Sequence, residues 1–153
     1  MRLSAHVAQA AVTSAVMTQF LAPVDNVVLF LSIIFIDVDH YFDFAVVCKR
    51  FGLWDMFKYH DWVWRFRDNV YGISLFHTAE VFALLFALGF VSHYFWIILG
   101  GFLFHFLFDL IFLVRHDILF NRAFSIIEYV IRKSNPASKG YPVPDEGFWD
   151  EKR

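Results

Sequence analysis

Apolar and polar positions alternate along this chain in long blocks. Four apolar stretches are long enough to cross about 30 Å of hydrocarbon at about 1.5 Å per residue; they run 3–22, 24–48, 70–92 and 94–115. The first, "AHVAQAAVTSAVMTQFLA", is rich in Ala, Ser and Thr, the small residues of a helix packed closely against others. A cleaved leader with Arg2 as its basic start is the other reading of that stretch. The polar stripe His6, Gln9 and Thr13 has no use in a leader and favours the helix. Between the second and third stretches, 53–67 mixes Trp54, Trp62 and Trp64 with Lys58 and Arg65, the pattern of a helix lying in a membrane interface. Residues 118–133 are also amphipathic, and the tail from Ser134, with three of the four prolines, reads as irregular. The expected architecture is an all-α integral membrane protein. A four-transmembrane-helix bundle over 1–116, with interfacial amphipathic helices, precedes an amphipathic helix and irregular tail over 117–153.

Composition strengthens this picture: 59% of residues are hydrophobic, beyond the roughly 45–50% of ordinary soluble domains. The single cysteine, Cys48, excludes a disulfide within the chain and a cysteine-rich zinc site. All thirteen Lys and Arg fall before the first stretch, between the second and third, or after the fourth; the connections around "PVDN" and "SHY" carry none. Positive charge gathers on cytoplasmic loops, so both termini are expected in the cytoplasm of a bacterial or archaeal cell, with Cys48 a reduced thiol at that face. There is no glycine-rich phosphate loop, no internal repeat and no basic array suited to nucleic acid.

Against this apolar background "IDVDHYFD" (36–43) stands out. A carboxylate near the bilayer centre costs about 2.5–3.5 kcal/mol even on lenient scales, so something must offset it. On continuous helices, Asp39, His40 and Asp43 lie about five to nine residues from the inner end of the second span, or about 8–14 Å deep. His77 and Glu80 in the third span, and His105 and Asp109 in the fourth, reach the same depth, and His6 lies near the inner end of the first. At 100° per residue, Asp39, His40 and Asp43 share one arc with Asp37 somewhat further round, and His77–Glu80 and His105–Asp109 share faces at i, i+3 and i, i+4. Imidazoles and carboxylates converging from several helices are what a divalent cation needs, and the cation neutralises the buried charge. His6, Asp37, Asp39, His40, His77, His105 and Asp109 are the candidate ligands, for one ion or two. Zinc comes first, with manganese or iron also open and magnesium or calcium disfavoured by the imidazoles.

Other readings of these residues remain. The His–carboxylate pairs can be interhelical hydrogen bonds, which average only about 0.6 kcal/mol in membranes. Intramembrane Asp, Glu and His also mark proton or metal-ion pathways, although the outer halves of the spans are almost wholly apolar. A non-catalytic accessory subunit is a third possibility. His60, His93 and His116 sit where a histidine is usually solvated or snorkelling.

The residues resemble a known family. His6, "DVDH" (37–40), "FHTAE" (76–80) and "HFLFD" (105–109), in order on four helices, are similar to the motifs of the membrane-bound metal-dependent hydrolases of bacterial inner membranes, distantly similar to zinc-dependent phospholipases C. The similarity covers about 1–116; the third motif has one His and a Glu where such proteins often carry a basic residue and a second His. The resemblance implies hydrolysis of a phosphoester or similar bond by metal-activated water. Glu80 or Asp43, if not spent as a ligand, would take the proton from that water. The shallow depth implies a lipid substrate entering from the cytoplasmic leaflet, with 53–67 and the tail lining the entrance.

Overall fold

The computed structural model of the chain describes residues 3–63, 65, 71–135 and 140–150. Arg2, Trp64, residues 66–70, Lys139, Lys152 and Arg153, which entered the readings above, lie outside the described residues.

The chain is helical, as expected. Helices α1 (Leu3–Met17) and α2 (Pro23–Phe35) form an antiparallel hairpin. Pro23 opens α2, where its missing N–H has no helical partner to lose. Ser14 donates to the Asn26 side-chain oxygen at 3.0 Å, and the Asn26 amide donates to the Ser14 carbonyl at 3.1 Å. This polar pair in an apolar interface therefore satisfies itself. Helices α5 (Ala79–Gly89) and α6 (His93–Arg115) form a second hairpin, closed by Trp96, whose indole fills the space that a β-carbon on Gly89 would need. The hairpins meet along α2 and α6 at Gly101, where a β-carbon would collide with the Ser32 hydroxyl; Gly100 faces open space. His93 Nε2 reaches Asp25 at 3.1 Å, so both connecting turns lie at one end of the bundle. Ala10, Leu29 and Ile33 form the centre of its core.

The four expected spans do not form as four continuous crossings. Only α6, with 23 residues, is long and apolar enough to cross a membrane, among the described residues. Its bundle partners α1, α2 and α5 have 15, 13 and 11 residues. The stretch 24–48 is broken: α2 ends at Phe35, the chain turns through Ile36 and Asp37, and α3 (Val38–Cys48) begins. The acidic residues favour the break, because Asp37 at the N-cap and Asp39 in the first turn lie at the positive end of the α3 dipole. The stretch 70–92 is broken as well. Residues Leu75–His77 form a 3-10 turn, Thr78 is extended, and α5 starts only at Ala79.

Outside the bundle, α4 (Leu53–Val63) forms within the expected interfacial segment. In the amphipathic stretch 118–133 a 3-10 turn at Leu119–Asn121 precedes the α-helix α7 (Ile126–Lys133), whose first turn is capped by the Ser125 hydroxyl accepting from the Ile127 and Glu128 amides. Before it, β2 (Arg122–Ala123) pairs in parallel with β1 (Gly72–Ile73), tying the segment ahead of α5 to the segment after α6. The tail is not loose: Tyr59 donates to the Pro142 carbonyl at 3.0 Å, Lys58 donates to the Phe148 carbonyl, and α8 (Gly147–Asp150) sets Trp149 against Phe44. Helices α3, α4, α7 and the tail thus gather at the end of the bundle opposite the connecting turns.

Candidate metal centre

Where α1 begins, α2 ends and α5 begins, beside the second half of α6, six ionisable residues are buried or nearly so. The His105 Nε2 atom lies 3.4 Å from Asp37 Oδ1 and 3.7 Å from Asp109 Oδ2. The corresponding distances from His77 Nε2 are 3.6 and 3.5 Å. All four ligand atoms lie within 4.8 Å of one another. An ion 2.0–2.2 Å from each of four tetrahedral ligands spaces them about 3.3–3.6 Å apart. The four separations lie at or near that spacing, so the group of Asp37, His77, His105 and Asp109 could hold a metal ion.

The two imidazoles are prepared for this task. His105 Nδ1 lies 2.8 Å from the Ile33 carbonyl, an acceptor only, so Nδ1 carries the proton and Nε2 presents its lone pair. His77 Nδ1 lies 3.1 Å from Asp39 Oδ2, which fixes the same tautomer through a carboxylate. Neither ring has any solvent exposure, and both Nε2 atoms are buried without a hydrogen-bond partner. An orphaned buried nitrogen is costly by itself, and two aimed at one point with two carboxylates have a common explanation in a cation.

The other expected ligands surround this centre. Asp37 Oδ2 lies 3.3 Å from His6 Nε2, and the His6 ring stacks on His105 with centroids 4.4 Å apart. His40 spans two carboxylates, Nε2 lying 3.5 Å from Asp37 Oδ1 and Nδ1 3.7 Å from Asp39 Oδ1. Asp37, Asp39 and His40 make a second three-residue group able to hold a metal, sharing Asp37 with the first. The turn at Ile36–Asp37 produces this sharing by aiming the Asp37 carboxylate at both groups. Asp39 Oδ2 also accepts the Phe76 amide at 2.9 Å, so the loop ahead of α5 is held to α3.

The two expected proton acceptors separate. Asp43, one turn beyond Asp39, has a buried Oδ2 without a partner. Glu80 is engaged elsewhere: its carboxylate accepts from the Ser125 hydroxyl and from the Ile126 amide at 3.1 Å, anchoring the start of α7. The expected shared face of His77 and Glu80 is lost because extended Thr78 interrupts the helical phase between them.

Three side chains gain roles the sequence did not signal. Arg122, at the start of β2, donates from Nη1 to Asp109 Oδ2 at 3.0 Å, while its Nη2 is buried without a partner. Tyr141, from the tail, lies with its hydroxyl end against Gly72, filling the space of an absent β-carbon. His60, expected to be solvated, donates from Nε2 to the His40 carbonyl at 3.2 Å, and burial lowers its pKa so that the ring stays neutral. His93 and His116 bond to Asp25 and to the Phe112 carbonyl, away from the centre.

No protein-family model, curated protein or solved structure matches this chain.

Proposed function

We propose that the chain is a membrane-embedded, metal-dependent hydrolase that acts from the cytoplasmic side on a phosphoester or related bond of a lipid. The observation carrying this reading is the pair of orphaned Nε2 atoms of His77 and His105, set with Asp37 and Asp109 within 4.8 Å of one another. The donor set, two imidazoles and two carboxylates with no thiolate, suits zinc best and also suits manganese or iron.

The membrane setting rests on shape and charge. Val12, Val27, Leu31, Leu84, Leu103 and Ile111 are among the large apolar side chains that α1, α2, α5 and α6 expose. The 13 residues of α2 carry the chain about 20 Å from the connecting turns to the metal centre. About 10 Å of a 30 Å hydrocarbon core is left beneath it. Helix α6 continues through that layer from Asp109 to Arg115, while the shorter helices give way to α3 and the loop before α5. Lys49, Arg50, Lys58, Arg115, Arg132 and Lys133 all follow the ends of the bundle at this face, in keeping with a cytoplasmic side.

A divalent ion, when bound, makes hydroxide available near neutral pH and polarises the oxygen under attack. The chain's own residues supply the rest. Asp39 and the Ile33 carbonyl hold the two imidazoles in the ligating tautomer, and Asp43, with its unpartnered Oδ2, accepts the proton of the attacking water. Towards the far end, Ser14, Asn26 and Ser32 bond to one another or to their own helix, while the buried Gln9 amide, one turn beyond His6, has no partner.

Metal analysis of the detergent-purified protein tests the centre. Stoichiometric metal is expected in the wild type and in His93→Ala, with sharp loss in His105→Ala and Asp39→Ala. Equal metal in all four proteins refutes the assignment. Turnover of a panel of lipid phosphoesters tests the activity, and a fully loaded protein inert on every one of them favours transport or an accessory role.

A further inference from the structure

Arg122 enters the centre from outside the bundle. One guanidinium nitrogen is spent on Asp109, and the side chain retains 11% of its exposure. The second, Nη2, is buried with no partner. A buried guanidinium N–H left unbonded is expensive, and arginine's planar fork matches two acceptors at once, a carboxylate on one side and a phosphoryl oxygen on the other. The Nη1 bond to Asp109 Oδ2, at 3.0 Å, sets the guanidinium directly against one of the ligand carboxylates.

The neighbouring element supplies a second donor. Gly72 is the register partner of Arg122 in the β1–β2 pair, and the Tyr141 hydroxyl end rests on Gly72 in the room left by its missing side chain. Tyr141 is held there by the tail, through the Tyr59 bond to the adjacent Pro142 carbonyl. Burial, the carboxylates of Asp43 and Asp39, and the opposing charge of Arg122 leave this hydroxyl with a pKa well above its ordinary value, so it is protonated and able to donate.

We infer that Arg122 and Tyr141 form a clamp for a tetrahedral phosphoryl group presented to the metal centre, making these two residues, which approach from the C-terminal side of the bundle, the determinants of substrate class. This inference rests on the metal-centre reading. Arg122 Nη2 and the Tyr141 hydroxyl donate to non-bridging phosphoryl oxygens, while Nη1 keeps Asp109 in place. A planar carboxylate ester offers one oxygen where the clamp has two donors.

The test uses full-length protein in detergent, measuring metal content together with affinity for inorganic phosphate and for the ester methyl acetate by calorimetry. Wild type is expected to bind phosphate at least about tenfold more tightly than methyl acetate, whose carbonyl oxygen engages one donor only. Tyr141→Phe, which removes one hydroxyl, is expected to keep its metal and weaken phosphate about three- to tenfold. Arg122→Lys keeps a positive charge for Asp109 but loses the fork, so it is expected to keep its metal and bind phosphate about tenfold or more weakly, with methyl acetate little changed. Metal-loaded variants that bind phosphate as the wild type does overturn the clamp and leave the metal centre standing. An Arg122→Lys protein that loses its metal, while Tyr141→Phe binds phosphate normally, shows that Arg122 only supports Asp109 and also overturns it. A wild type without metal overturns the centre and the clamp together.

Discussion

Asp39→Asn isolates the carboxylate that prepares His77 without removing the bonds that hold the loop. Asp39 is 2% exposed, and its Oδ2 accepts both the Phe76 amide at 2.9 Å and the His77 Nδ1 proton at 3.1 Å. An asparagine oxygen in the same place keeps both bonds but makes them neutral. Charge-assisted hydrogen bonds contribute about 1.5–3 kcal/mol and neutral ones about 0.5–1.5. The His77 bond therefore weakens by about 1–1.5 kcal/mol, and the ring becomes a poorer ligand. That corresponds to about a tenfold loss of metal affinity, the low end of the 10–100-fold range for residues that orient ligands. Asp39→Ala strips both bonds and is expected near the high end of that range. Competition against a chelator of known affinity, with zinc and detergent-solubilised protein, reads the difference directly. If Asp39→Asn and Asp39→Ala both bind zinc as the wild type does, His77 is not a ligand oriented by Asp39. If stoichiometry falls by one ion while the remaining affinity is unchanged, Asp39 ligates a second ion in the group with Asp37 and His40.

Other perturbations separate the centre from its scaffold. Glu80→Ala is expected to leave metal content intact while trypsin cuts near α7 faster, since the capping bonds to Ser125 and Ile126 are lost; metal loss in that variant would return Glu80 to the site. Gly101→Val sets a side chain against Ser32 and is expected to cost about 1–3 kcal/mol in denaturant unfolding, whereas Gly100→Ala, facing open space, is expected to be neutral or stabilising by up to about 1 kcal/mol. Chelation is expected to lower the melting temperature, because Asp37, Asp39 and Asp109 then share a single cationic partner, Arg122 on Asp109, and restored zinc at about 100 times its Kd is expected to return about 2.7 kcal/mol. An unchanged melting temperature across that titration would remove the cation from the account of the fold.

Some of this was legible in the sequence and some was not, for physical reasons. His105 and Asp109 lie on an uninterrupted helix, so their i, i+4 spacing translates into a shared face, with 3.7 Å between them. His6, His77 and His105 also come together, with His6 stacked on His105 and His77 edge-on to it, because their meeting depends only on where apolar stretches end. Direction fails wherever a helix stops. The assumption of continuous helices through 36–37 and 77–80 missed the turn at Asp37 and the extended Thr78, so the Asp37 carboxylate is shared between two groups and Glu80 leaves the site. Arg122 was visible only as one more cytoplasmic charge and Tyr141 only as part of a proline-bearing tail. Their positions follow from a two-residue strand pair and a long-range tail contact, and neither leaves a periodic trace.

The spread of these residues along the chain has a consequence for biosynthesis. The first hairpin emerges from the ribosome carrying His6, Asp37 and Asp39, about 40 residues before His77 and more than 80 before Arg122. During that interval the nascent α1–α2 pair and the turn after it hold Asp37 and Asp39 with only His6 and His40 beside them, which disfavours burying that end until the later partners arrive. Release of the residues that follow, with Arg122 and the docking tail among them, then completes the site.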